Sequence, residues 1–243
     1  MINSKASIVE LIEKYLETWR PVAWENDISC HSLDVADFKN QPPIADRIDA
    51  FTAQCRNLPK AMRDRFDIAE MLARDTFPIP SDSDREGYAP GNDPQYWVSG
   101  LKDYIRMMDV AIRNKVEVKT YFDLGCATGR VARHVVAQSD VETVWCSDIN
   151  ARHIRWMLEF MPRKVRPIVN HCIPSIPIPD NSVDLISAFS VFTHIDTFET
   201  CWLAELRRIL RPGGLAYLTV HNEATWQVLA KELDNPDNRL IQS

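Results

Sequence analysis

An α/β fold, doubly wound around a mostly parallel sheet and preceded by a helical region, is the class this 243-residue sequence predicts. Three observations predict it. From Thr120 onward, short apolar runs of strand length alternate with helical stripes, and five such runs are visible. The first run leads straight into "YFDLGCATGR" at 121–130, which holds two of the chain's seven glycines. The residues before 95 show helical stripes and no strand-like runs. Strand, helix, strand in repetition means parallel pairing with helices on both faces, because each crossover must lay its helix on the sheet.

Along the chain, "SIVE" at 7–10 is a capping box in which the Ser7 hydroxyl accepts from the Glu10 N–H while Glu10 reaches back. Ile8, Leu11, Ile12, Tyr15, Leu16 and Trp19 then form an amphipathic stripe that Pro21 stops. A second stripe runs through Ile44, Ile48, Phe51 and Cys55 to Pro59, and a third through Met62, Phe66, Ala69 and Leu72 to "FPIP". The segment 78–94, with four prolines and two glycines, has linker composition. It divides the chain into 1–94, a helical region and linker serving as cap or acceptor-binding part, and a domain over 95–243. That domain opens with a helix at 95–115, in which Tyr96, Trp97 and Tyr104 are core aromatics or a cover over the ligand. Strands are expected at 120–124, 141–148, 166–170, 183–190 and 215–220, with helices at 129–138, 150–160 and 197–210.

Composition narrows the function. A net charge of -6, from 28 basic and 34 acidic residues, gives no general attraction for polyphosphate, so nucleic acid is not expected as a partner. Apolar runs such as "LISAFSVF" fall well short of the roughly 20 residues of a membrane helix, and "MINSKASIVE" has no signal-peptide pattern. A cytoplasmic protein is expected. Cys30, Cys55, Cys126, Cys146, Cys172 and Cys201 include no C-x-x-C pair, which signals neither metal site nor disulfide framework and leaves reduced, mostly buried thiols.

In such a sheet a ligand sits beyond the carboxyl ends of the strands, where strand order reverses. Gly125 and Gly129 let the first turn approach a ligand closely, and the helix from Gly129 offers N–H groups to an anion. Asp123 at the strand end repels phosphate and suits a cationic or zwitterionic group. Asp148 ends the second strand about 20 residues past the turn, where dinucleotide folds place the acid that takes ribose hydroxyls. Both acids could instead cap the following helices. Together they describe a nucleoside with a zwitterionic tail.

These residues resemble the class I S-adenosylmethionine-dependent methyltransferases, of Rossmann-like fold, over roughly residues 95–222. "FDLGCATGR" is similar to their first motif except that Ala127 stands at its middle glycine; "SDIN", "IPIPDNSVDLISAFSVFTHI" and "LAELRRILRPGGLAYLTV" follow in the family's order. The "SVFTH" wording is similar to a bacterial subgroup acting on small molecules. The resemblance implies S-adenosyl-L-methionine as cofactor and a small-molecule methyl acceptor. It implies Asp123 for the methionine amino group, Gly125, Ala127 and Gly129 shaping the turn, Asp148 for the ribose and Ile149 beside the adenine. The adenine amino group would meet Cys172 in an ungapped match, or Asn170 if the strand ends two residues earlier, Asn170 being the better hydrogen-bonding group. Phe189 and Ser190 would offer carbonyls to the methionine moiety.

Methyl transfer from a sulfonium needs alignment above all; an oxygen acceptor also needs a base. His194 in "FTHID" is the candidate catalytic residue and His221 the second, against packed histidines at strand ends. A nicotinamide-dependent oxidoreductase would need G-x-G-x-x-G, which "GCATG" does not supply. A non-catalytic partner or regulatory module is the other alternative. The family adds an antiparallel hairpin beside the fifth strand, whereas 221–243 reads as one helix and a polar tail. The expectation is therefore a fragment of a longer protein, or a subunit or segment covering the open edge.

Overall fold

The computed structural model describes residues 34–195, 197–222, 225 and 227. The capping box and helix expected over 7–21, Cys30, and nearly all of the helix and tail expected over 221–243 lie outside these residues.

Five parallel strands, β1 (Thr120–Leu124), β2 (Thr143–Asp148), β3 (Val165–Val169), β4 (Val183–Ala188) and β5 (Leu210–Leu218), pair in the order β3-β2-β1-β4-β5. The order reverses between β1 and β4, so their carboxyl ends frame the crevice that such a topology leaves for a ligand. The alternation of side chains along β1 sorts the core in two. Tyr121 joins Val144, Cys146 and Leu185 on one face, and Phe122 joins Ile186, Trp202, Leu206 and Ile209 on the other.

The helices follow the same division. On the Tyr121 face lie α1 (Ile48–Cys55), α2 (Lys60–Arg63), α3 (Ile68–Arg74), α4 (Asp93–Arg113), α5 (Ala132–Gln138) and α6 (Ala151–Phe160). On the Phe122 face lies α7 (Glu199–Ile209). Tyr96, Trp97 and Tyr104 are buried in the first core, as the core alternative held. The Trp97 Nε1 donates to Asp75 Oδ2 at 2.8 Å. Arg133 on α5 grips the same carboxylate through Nε at 2.7 Å and Nη2 at 2.9 Å, which ties the N-terminal helices to the sheet domain.

Element bounds differ from expectation for local reasons. Helix α5 starts at Ala132 rather than 129, since Thr128–Val131 continue as turns after Gly129. Strand β4 ends at Ala188 because Ser190 turns left-handed, with φ of +58°. Strand β5 begins five residues earlier than 215: Leu210 pairs with Val183, and a register shift absorbs Gly213, whose φ is +81°.

The segment 78–94, despite its linker composition, is packed as a strap across the glycine turn. Arg85 is wholly buried, donating to the Pro80 carbonyl at 2.8 Å and pairing with Asp93. Asp84 receives Arg152 Nε at 2.5 Å, and its carbonyl accepts from the Thr128 hydroxyl at 2.6 Å. Prolines and glycines at this density report the backbone path, which four left-handed residues (Glu86, Gly87, Ala89, Gly91) follow here. They do not report whether that path is packed.

Candidate functional site

A cleft of about 1000 Å³ opens at the carboxyl ends of the strands. Its lining gathers Gly125, Ala127, Asp148, Ile149, Asn170, Cys172, Phe189, Ser190 and His194, from the ends of β1 to β4 and the segment after β4. Asp123 and Gly129 are not on this wall.

The turn after β1 is held open by strain and by one acid. Ala127 has φ of +45°, a left-handed conformation that costs an L-residue about 1–2 kcal/mol, which explains why the resembled motif has glycine there. The Ala127 N–H donates to Asp148 Oδ2 at 2.7 Å, and the Asn150 N–H donates to Asp148 Oδ1 at 2.8 Å. Asp148 therefore braces two backbone segments, and a carboxylate has about four lone-pair sites, which leaves acceptor capacity toward the cleft. Gly125 is required twice over: its φ is +67°, and a Cβ would stand 2.3 Å from Val191 Cγ2.

Gly129 also turns left-handed, with φ of +78°, and it packs closely against a helix. A Cβ on it would meet Met157 Sδ at 2.8 Å, so its bare backbone lets the turn pack against α6. Asp123 lies in a small recess beside the cleft, 3% exposed, with Ser187 Oγ donating to its Oδ1 at 2.6 Å. Burial pushes its carboxyl up to about 6; the Ser187 hydroxyl and the Arg130 charge act in the opposite direction.

On the far wall, Asn170 follows β3 immediately and is buried. Its Nδ2 donates to the His171 carbonyl at 2.9 Å, while its buried Oδ1 has no partner among the described residues. Cys172 lines the same wall but is exposed. The Ser190 N–H is taken by Thr219 Oγ1 at 2.7 Å, and its carbonyl accepts from Thr193 Oγ1 at 3.0 Å. Phe189 packs on Tyr217 with ring centroids 5.5 Å apart.

His194 is exposed on the cleft wall beside Ile195, Phe198 and Trp202, and its backbone N–H donates to the Val191 carbonyl at 2.9 Å. His221 is exposed and does not line the cleft. Glu86 and Tyr88 reach the cleft from the strap, and linker composition concealed both. Arg130 sits at the recess as the last residue of the quoted motif, where only its sequence position marked it. Among the described residues no cluster of three or more His, Cys, Asp or Glu could hold a metal ion, and no helix is long and apolar enough to cross a membrane.

A parallel sheet with a cleft at its switch point, an acid ending β2 and a strained small-residue turn after β1 are features of a Rossmann-like fold. Residues 122–218 match a family model described as a methyltransferase domain. The likeness to a methyltransferase domain thus covers about two fifths of the chain. The chain is similar to the ubiquinone/menaquinone biosynthesis C-methyltransferase UbiE of Cupriavidus pinatubonensis, 30% identical over 141 residues, covering 56% of each protein. It is also similar to the protein of that name from Cupriavidus necator, 32% identical over 118 residues, covering 46% of each. The chain thus spans about half the length of these relatives. A solved S-adenosylmethionine-dependent methyltransferase from Clostridium acetobutylicum is 19% identical, with 49% of each chain covered and a TM-score of 0.40.

Proposed function

We propose that this chain is an S-adenosylmethionine-dependent methyltransferase that methylates a small-molecule acceptor at oxygen or nitrogen. The observation that carries it is the pairing, in one cleft, of the Asp148 carboxylate with the orphaned, buried Asn170 Oδ1. An unpaired buried acceptor is costly unless a ligand supplies its donor, and an adenine amino group is such a donor. Asp148 is set for the ribose hydroxyls, Ile149 for a face of the adenine, and Gly125 and Ala127 for close backbone approach. Asp123 in the recess suits the amino group of the tail, with Phe189 and Ser190 alongside. Cys172 borders the adenine end.

The bound donor supplies an electrophilic methyl group on a sulfonium. The chain's own residues then align an acceptor and exclude water, and Ile195, Phe198 and Trp202 form the apolar wall for this. His194, on that wall, accepts the acceptor's proton at an imidazole nitrogen, which an oxygen nucleophile requires. A carbon acceptor is the second reading, favoured by the C-methyltransferase name of the relatives. We place the protein in the cytoplasm. We also propose a subunit or further segment along β5, one of the two outer strands among the described residues, because the backbone groups of an edge strand invite pairing.

The test is incubation of the protein with a metabolite extract and methyl-labelled S-adenosylmethionine, followed by mass spectrometry. A labelled small molecule, absent with His194→Ala, is the expected result. Donor binding without any labelled product would favour a non-catalytic module instead.

A further inference from the structure

Asn150 caps α6, its Oδ1 accepting from the Arg152 N–H at 3.0 Å, and His153 stands in the first turn that follows. His153 falls on the buried stripe of that helix, with Ala151, Ile154 and Trp156, and is 1% exposed. Its ring lies between two acids from different parts of the chain. Nε2 is 3.3 Å from Glu86 Oε1 of the strap and 3.5 Å from Asn150 Nδ2, while Nδ1 is 3.8 Å from Asp148 Oδ1 at the end of β2. Glu86, Asp148 and Asn150 all line the cleft, and His153 stands behind them.

Buried polar atoms are normally paired, yet the Nδ1 contact is too long for a hydrogen bond, and Nδ1 has no other partner among the described residues. A neutral imidazole carries one N–H and must turn a lone pair toward one of two carboxylates, whereas an imidazolium donates toward both. The first turn of a helix disfavours a cation. The two acids are therefore what hold a proton on this ring. The other charges nearby are already matched, since Arg152 of α6 pairs with Asp84 of the strap at 2.5 Å. Asp148 Oδ1 has the Asn150 N–H on one side, at 2.8 Å, and His153 Nδ1 on another. Together they fix the plane of the carboxylate and leave its remaining lone pairs for the cleft. Glu86, exposed and left-handed with φ of +49°, is the outer anchor.

We infer that His153 is a positioning residue: it holds the Asp148 carboxylate in the orientation that takes ribose hydroxyls, and Glu86 of the strap holds the imidazole. The inference rests on the donor reading and deepens it. His153 acts through Asp148 and not on the ligand, and the strap becomes a support of the ribose site from outside the sheet.

Adenosine and 2′-deoxyadenosine differ by one ribose hydroxyl, so the ratio of their affinities reads the Asp148 contact apart from any general loss of stability. Calorimetry on the full chain should give the unaltered protein a preference for adenosine of roughly tenfold or more. His153→Phe, and separately Glu86→Ala at its exposed position, should each reduce that preference by about threefold or more. Neither should change the ratio further in an Asp148→Asn background, because both act through that carboxylate. An unchanged ratio in either single variant, or a reduction that persists in the Asp148→Asn background, overturns the inference; if His153→Phe does not fold, Glu86→Ala decides alone. If the unaltered chain binds neither S-adenosylhomocysteine nor adenosine, the donor reading falls and this inference with it. If it binds both and prefers adenosine, and the single variants keep that preference, only the inference falls.

Discussion

Asp148 joins fold and function at one carboxylate, which makes Asp148→Asn an informative perturbation. In the structure its two oxygens accept from the Ala127 N–H at 2.7 Å and the Asn150 N–H at 2.8 Å. An asparagine keeps one oxygen and turns an NH2 group toward the other donor, so one charge-assisted bond is lost and one N–H is left facing a donor. Hydrogen bonds to charged groups contribute about 1.5–3 kcal/mol, and a buried orphan costs about 1–3 kcal/mol. A loss of about 2–4 kcal/mol follows, which for a domain of this size lowers Tm by roughly 5–15 °C. The same change removes the charge offered to the ribose and frees the Gly125–Gly129 turn, so affinity for S-adenosylhomocysteine should fall roughly tenfold or more. Scanning calorimetry and isothermal titration on the same preparation read both effects. An unchanged Tm would mean that Asp148 does not brace the turn, and unchanged affinity in a folded variant would remove the ribose assignment.

Other perturbations probe separate parts of the account. His194→Ala should lower turnover about 100-fold while donor affinity and Tm stay near the unaltered values, because the side chain is exposed on the cleft wall; a drop in Tm with normal turnover would mark it as structural. Burial pushes the Asp123 carboxyl from 3.8 up to about 6, so between those values the folded chain holds a proton that the unfolded chain has released. Stability from this group therefore falls as pH rises from about 4 to 6 and stays lower above it, by about 3 kcal/mol. Asp123→Asn should raise Tm at pH 7.5 and change it little at pH 4, and donor affinity of the unaltered chain should weaken below pH 6; a Tm at or below the unaltered value at pH 7.5 refutes this. His134 is buried, with Nε2 3.0 Å from the Trp97 carbonyl, and burial pushes its pKa down to about 3. The unfolded chain takes up the proton first, so stability is lost as pH falls from about 6.5 toward 3, and His134→Gln should flatten that loss in urea titrations at pH 7 and pH 4. Asp75→Asn strands the buried Arg133 charge and should cost about 3–5 kcal/mol, read from the urea midpoint.

Much of the sheet was legible because strand patterning is local: Tyr121 and Phe122 face opposite cores, as alternation requires. The cleft residues at strand ends were legible for the same reason, since topology alone carries Asp148, Asn170, Phe189 and Ser190 to one rim. The strap was not. Its prolines and glycines describe a path, and only the burial of Arg85 and Asp84 shows that the path is packed. The part played by Gly129 depends on Met157, a neighbour 28 positions away that no local pattern pairs with it. The enclosure of Arg130 by Tyr88, Phe189 and Asp103 depends on residues distant in sequence, which no local pattern pairs with it. The early start of β5 was hidden in "LRPGG", turn residues that a register shift accommodates within a strand.

The central claim is that the cleft takes S-adenosylmethionine, and titration calorimetry on the full chain addresses it most directly. S-adenosylmethionine and S-adenosylhomocysteine should each bind once per chain with Asp148→Asn weakening both, and NADH should give no heat of binding. Saturable binding of NADH, or no binding of either adenosyl ligand, would contradict it.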